Sequence, residues 1–125
     1  MTPGARLQAA IDLLDEIGGS AVPADRLVGN YFRSRRYAGS KDRRAVSEMV
    51  YDVIRRRGEY AWAAGGTGSR QLALAHLMSR PDAGAAAVAI LFDGAKYCPG
   101  ELNAEEQALL AAMTGSGDGT PAWAA

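Results

Sequence analysis

The 125-residue chain is poor in the residues on which disulfides, metal sites and membrane spans depend. It has one cysteine, Cys98, and one histidine, His76. A single thiol excludes an intramolecular disulfide and favours a reducing compartment, so we expect a cytoplasmic protein. One Cys and one His fall short of the ligands that a zinc site needs. No apolar run approaches the ~18 residues of a membrane span, and the first residues lead into an amphipathic pattern rather than a signal peptide.

Aromatic residues make up 7 % of the chain, and alanine and leucine far outnumber valine, isoleucine and threonine. This composition favours helix over strand, because alanine and leucine lose little conformational freedom in a helix. Apolar residues recur at helical spacing, and no segment alternates convincingly as a strand would. We therefore predict an all-α bundle of about six to seven helices over residues 1–114, followed by a flexible tail or linker over 115–125.

Local signals predict where several helices begin. Thr2 before Pro3 is typical of an N-cap with proline in the first turn, and Ser69 is expected to cap a later helix. Asn103 with Glu106 three residues on predicts a reciprocal capping box. These signals fix helix starts but carry no function.

The segment 41–57 is the clearest helix, with Ser40 as its expected cap and Gly58 as its expected end. Its apolar residues fall on one face, which predicts the side that packs into the core. The core face consists of Val46, Met49, Val50, Val53 and Ile54, and the opposite face carries Arg44, Glu48, Tyr51 and Arg55.

Two other apolar features are expected to be buried. Asp82 is expected to begin a strongly apolar helix over 85–92 that is covered on most sides. A short helix over 59–64 is expected to bury Tyr60 or Trp62, and Trp62 is more often a core residue than a base-stacking one.

Residues that could carry catalysis are few. Cys98 is the only candidate thiol nucleophile, and it would need an activating base such as His76. The two residues lie in different segments, so we interpret Cys98 as a small apolar filler in a loop and His76 as a surface or partly buried helix residue. No catalytic residue and no metal ligand is predicted.

The zero net charge hides a basic middle. Residues 33–57 hold nine basic residues against three acidic ones, a balance of +6, whereas residues 1–32 and 58–125 are both acidic overall. The cations at 41–44 stand at a helix start, where the dipole disfavours them, and Asp42 is the acid expected to offset its neighbours. A bound phosphate would explain that placement. A merely solvated basic face is the alternative.

The same helix carries a resemblance to a known family. Lys41-Asp42-Arg43-Arg44 followed by Val50-Tyr51-Asp52-Val53-Ile54-Arg55 resembles the NusB-like N-terminal domain of RsmB/NOP-type (Sun/Fmu) ribosomal RNA cytosine-5 methyltransferases. The flanking segments 3–11, 91–97 and 102–106 fit the same pattern, so the likeness covers residues 3–113.

The resemblance implies a NusB-like helical bundle that binds ribosomal RNA ahead of a catalytic domain using S-adenosylmethionine. The cofactor turn and the nucleophile motif of that domain are missing here, so we expect no cofactor and no activity in this chain. Cys98 precedes Pro99 but does not match the catalytic position. The alternatives are a domain that docks on its own catalytic domain or another protein, and a free-standing NusB-like antitermination factor. The residues expected to contact RNA are Arg35, Arg36, Lys41, Arg43, Arg44, Tyr51, Arg55 and Arg56.

Overall fold

The computed structural model describes residues 1–80 and 84–115, which form seven α-helices and no strand. This confirms the predicted all-α fold and the number of helices. None of the helices in these ranges has the length and apolar character needed to cross a membrane. The helices are α1 (Pro3–Gly18), α2 (Ala24–Arg33), α3 (Ser40–Arg55), α4 (Arg57–Ala64), α5 (Ser69–Met78), α6 (Ala85–Ile90) and α7 (Ala104–Gly115).

Helices α1 and α5 form the centre of the bundle. Helix α5 packs against α1, α3, α4, α6 and α7, and both Ala73 and Leu74 on it are completely buried. One apolar cluster joins α1 and α5 to α2, α3 and α4, and a second joins them to α6, α7 and Phe92. Helices α1 and α5 therefore connect the two clusters. The basic helix α3 packs on the first cluster with its apolar face.

Helix α3 matches its predicted core face but not its predicted ends. Val46, Val50 and Val53 are at most 1 % exposed, as predicted. Ile54 is wrong as a core residue, since it lies 38 % exposed at the last turn. The helix ends at Arg55 because the chain turns at the next residue, and Gly58 lies inside α4 instead of ending α3.

The predicted helix starts are confirmed where the cap is local and side-chain mediated. Thr2 accepts a hydrogen bond from the Ala5 N–H at 3.1 Å. The Asn103 side chain accepts from the Glu106 N–H at 2.8 Å, and Glu106 accepts from the Asn103 N–H at 3.0 Å. This reciprocal pair is the predicted capping box.

Ser40 and Ser69 are wrong as caps, because each is the first helical residue. Gly39 and Gly68 are the N-caps. The backbone N–H of each glycine donates to a side chain three residues later, to Asp42 at 3.1 Å and to Gln71 at 3.0 Å. The acceptor three residues into the helix therefore replaces the expected serine hydroxyl.

The predicted burial of α6 is wrong. Within this helix only Val88 is buried, and Ile90 is 70 % exposed. Phe92 is buried but lies beyond the helix end. This six-residue helix lies at the edge of the bundle, where it packs against α5 and α7, and its remaining faces are open to solvent. Asp82, the expected start of this helix, is outside the described residues.

Of the two aromatic residues expected to be buried by the short helix α4, Tyr60 is buried and Trp62 is wrong as a core residue. It is 48 % exposed, whereas Tyr60 on the same helix is 3 % exposed. Two residues correspond to about 200° around a helix, so burial of one ring turns the other outward. At the other end of the chain, Gly115, the predicted start of the tail over 115–125, belongs instead to α7, and residues 116–125 lie outside the described residues.

Candidate nucleic-acid interface

Asp42 points inward from the first turn of α3. Its Oδ1 atom accepts from Nε and lies 2.8 Å from both Nε and Nη2 of Arg6. Its Oδ2 atom accepts from the Gly39 N–H at 3.1 Å and lies 3.4 Å from the amino group of Met1. The hydrogen bond from Arg6, and then that from Gly39, holds the pKa of the Asp42 carboxyl below its usual value. Asp42 thus ties α3 to α1: it is the acid in the first turn of α3, as expected, but its partners are Arg6 and Met1 rather than its neighbours in sequence.

The cations on either side of Asp42 point away from the bundle. Lys41, Arg43 and Arg44, here called the outward cations, are exposed. Neither they nor Arg36 form an ion pair within residues 1–80 and 84–115. They lie in the first turns of a 16-residue helix, at the positive end of its dipole. The start of α3 therefore concentrates positive charge that the described part of the chain leaves uncompensated.

The solvent face of α3 continues from Arg44 as a shallow groove. Arg44, Tyr51 and Arg55 line it together with Ser47, Glu48 and Asp52. The Tyr51 side chain is 38 % exposed, and that of Arg55 is 74 % exposed with Nη2 at 3.4 Å from Asp52. Two guanidinium groups and an accessible ring on one surface suit phosphate contact and base stacking.

Arg35 and Arg36 follow the end of α2. The Arg35 guanidinium carbon lies 3.7 Å from the centroid of the Tyr31 ring, and its Nη1 donates to the Tyr31 carbonyl at 3.2 Å. The pKa of the Tyr31 hydroxyl is raised, mainly because the ring is partly buried, while the nearby Arg35 acts in the opposite direction. Arg35 is therefore held in one position with donors left over, whereas Arg36 is exposed to solvent.

Arg56 differs from the other predicted RNA contacts. It lies at the bend between α3 and α4, where its Nη2 is 2.8 Å from Glu59 and its guanidinium carbon is 5.0 Å from the Tyr60 ring centroid. The hydrogen bond to Glu59 raises the pKa of Arg56 further above its usual value. Arg56 is thus engaged within the bundle, and its contact with RNA stays a prediction.

A partly buried polar network that the sequence did not indicate lies beneath the end of α3. The Oδ2 atom of Asp52 accepts from the Tyr60 hydroxyl at 2.5 Å and lies 2.7 Å from Nδ1 of His76. The Ser79 hydroxyl lies 3.4 Å from that of Tyr60 and donates to the His76 carbonyl at 2.6 Å. The network joins α3, α4 and α5 through one carboxylate.

Burial and hydrogen bonding oppose each other at this network. Burial raises the pKa of Asp52, but the hydrogen bonds from Tyr60 and His76 outweigh it, so the pKa is lowered. The pKa of His76 is lowered, chiefly by burial and further by the charges of Arg80 and Arg56, although the Asp52 carboxylate raises it. Asp52 is therefore held ionised beside a neutral imidazole, an arrangement in which the imidazole donates from Nδ1.

Cys98 and His76 have different partners. The Cys98 sulfur packs against Gly4, where a Cβ atom would lie only 2.7 Å from it, and it is 3.7 Å from the Thr2 hydroxyl. His76 is 9 % exposed and hydrogen-bonded to Asp52, so its side chain lies largely inside the bundle and not on the helix surface. Among the described residues no group of three or more His, Cys, Asp or Glu side chains is placed to hold a metal ion.

No protein-family model, curated protein or solved structure matches this chain. The function is therefore inferred from the site and from the motif of α3.

Proposed function

We propose that this chain is an RNA-binding domain, and that it positions ribosomal RNA for the catalytic domain of an S-adenosylmethionine-dependent cytosine-5 methyltransferase in the cytoplasm. The observation that carries the RNA-binding part is the orientation of charge at the start of α3. Asp42 forms its side-chain ion pair with Arg6. The outward cations Lys41, Arg43 and Arg44 are exposed and form no ion pair with the described residues.

This placement has a cost that a ligand would remove. Cations at a helix N-terminus are disfavoured by the dipole, and their mutual repulsion adds to that cost. A phosphate reverses both effects, because it accepts from the free N–H groups of the first turn and neutralises the arginines. Solubility alone does not require three cations there.

The groove of α3 extends the contact beyond one phosphate. Arg44 and Arg55 are eleven residues apart, which corresponds to roughly 16 Å along the helix axis. The two side chains would therefore meet different phosphates of one strand, with Tyr51 between them. Contacts of this kind position an RNA without reading its sequence, which suits a domain that presents a substrate to another.

The test compares two substitutions that remove the same charge from exposed arginines. Arg44→Gln lies in the proposed contact, and Arg26→Gln lies on α2, where Arg26 forms no ion pair with the described residues. Fluorescence anisotropy with an unstructured 20-nucleotide RNA should show a several-fold loss of affinity for Arg44→Gln and almost none for Arg26→Gln.

Thermal unfolding of the two variants supplies a second criterion. Arg44→Gln should melt at an unchanged or slightly higher temperature, since a cation is removed from the positive end of a helix. Equal RNA affinity for the two variants would contradict the proposed surface and favour docking of the basic face on an acidic protein surface.

A further inference from the structure

A groove separate from the outer face of α3 lies between the first turns of α1, the end of α2 and the loop over 93–99. It has a volume of about 470 Å³. Tyr37 and Tyr97 border it and are 71 % and 70 % exposed, more than any other aromatic side chain in the described ranges. A single exposed apolar residue is ordinary on a surface, but two open rings at one groove offer faces on which a planar ligand can stack.

The loop that carries Tyr97 is fixed by hydrogen bonds. The Gly94 N–H donates to the Pro99 carbonyl at 3.0 Å, and the Cys98 N–H donates to the Ala95 carbonyl at 2.9 Å. Within this turn Tyr97 has a φ of 68°, the left-handed region that glycine or asparagine usually supplies. The fold alone would be served better by either residue, so the tyrosine ring has a reason other than stability.

Charged and polar groups complete the groove. Arg35 and Lys96 line it, each placed against a tyrosine ring, Tyr31 at 3.7 Å and Tyr97 at 5.1 Å. On the α1 side the Gln8 amide donates to the Asp12 carboxylate at 2.7 Å. The groove thus combines ring faces, cations for phosphates, and an acceptor that can receive the amino group of a base.

We propose that this groove holds unpaired bases of single-stranded RNA, stacked on Tyr97 and on Tyr37, while Arg35 and Lys96 contact the neighbouring phosphates. The inference rests on the proposed RNA-binding function and adds the class of RNA. A base in a duplex is already stacked and paired, so only a loop, bulge or single strand can enter. Tyr37 follows directly on Arg36, so the groove is bordered by the basic segment of the chain.

The experiment measures affinity by fluorescence anisotropy for three variants and three nucleic acids. Tyr97→Asn and Tyr37→Ser remove the rings, and Tyr97→Phe is the matched control that keeps the ring and loses only the hydroxyl. The probes are an unstructured 20-nucleotide RNA, the same strand in a duplex, and a strand with several abasic positions. Thermal unfolding is recorded for each variant.

Stacking of one base corresponds to a loss of at least about five-fold when the ring is removed. Tyr97→Asn and Tyr37→Ser should therefore bind the single strand at least five-fold more weakly, Tyr97→Phe should bind as the original protein does, and the abasic strand should bind weakly to all. Tyr97→Asn should not lower the melting temperature, whereas a structural role for the ring would lower it.

Two negative outcomes are distinguishable. If every variant binds the single strand, the duplex and the abasic strand equally well and with salt dependence, this groove is not a base site but the phosphate contacts of α3 stand. If no RNA binds at all, the proposed function fails with it. Binding of Tyr97→Asn with unchanged affinity is sufficient to overturn the inference.

Discussion

Replacing Asp52 by alanine should weaken the bundle more than replacing any exposed acid on α3. The carboxylate accepts from Tyr60 and lies within hydrogen-bond distance of His76, and these two residues are 3 % and 9 % exposed. Without it, the imidazole loses its partner and the Tyr60 hydroxyl keeps only Ser79 at 3.4 Å. Both lost contacts are made by the Oδ2 atom of Asp52, which links α3, α4 and α5.

The magnitude follows from the two lost bonds. A hydrogen bond to a charged group contributes about 1.5–3 kcal/mol. The Asp52 side chain is itself 19 % exposed, which reduces this contribution, so we expect a loss of about 2–4 kcal/mol in the free energy of unfolding. The ion pairs of Asp52 with Arg55 and Arg56 lie near the surface and add little. For a chain of this length the loss corresponds to a decrease of roughly 8–15 °C in melting temperature.

Urea and thermal unfolding, followed by circular dichroism, measure this difference. Glu48→Ala is the matched control, because Glu48 is an exposed acid on the same helix without an ion pair in the described part of the chain. It should change the free energy of unfolding by no more than about 0.5 kcal/mol. Equal stability of Asp52→Ala and Glu48→Ala would refute the network as a source of stability.

Three further changes test the fold. The free energy of unfolding should decline as pH falls below about 6.5, because the lowered pKa of His76 means that the unfolded chain binds the proton more tightly than the folded chain does. His76→Gln should flatten this decline in a pH series of urea titrations. An unaltered decline would place its cause elsewhere. Val50→Ala, at a fully buried position, should cost about 1–3 kcal/mol in the same titrations, and a cost near zero would mean that α3 does not pack as described. Gly4→Ala should lower the free energy of unfolding by about 1–3 kcal/mol, because its Cβ would meet the Cys98 sulfur at 2.7 Å. Adding Cys98→Ala to this variant should recover part of the loss. Gly4→Ala without effect would contradict the close approach of the two residues.

Features that depend on neighbours in sequence were predictable. The cap at Thr2 and the reciprocal box of Asn103 and Glu106 join residues three apart, and their residue types specify the bond. The core face of α3 followed from the period of its valines. The start and end of α3 were less predictable, because an acceptor at the third position replaced the serine cap and the chain turned before its glycine.

Contacts between distant residues were not predictable. Asp42 and Arg6 are 36 positions apart, and Asp52 and His76 are 24 apart. In the sequence Asp52 has Arg55 and Arg56 at helical spacing, which is typical of local ion pairs on a solvated face, and Asp42 is flanked directly by Lys41 and Arg43. Glu106 similarly accounts for a helix start, yet it also binds Arg70 of α5 at 2.7 Å. Only packing of the helices reveals which acids turn inward, and therefore which cations remain available.

The salt dependence of RNA binding tests the role of the outward cations most directly. The triple variant Lys41→Gln, Arg43→Gln, Arg44→Gln should fold as the original protein does, since all three side chains are exposed. For single-stranded RNA each phosphate contact adds about 0.7 to the magnitude of the slope of log affinity against log salt, so removing three contacts should reduce it by about 2. Filter binding of ribosomal RNA fragments across a range of salt concentrations measures both slopes. A shallower slope by about 2 is the predicted result, and equal slopes with equal affinity would contradict phosphate binding at the start of α3.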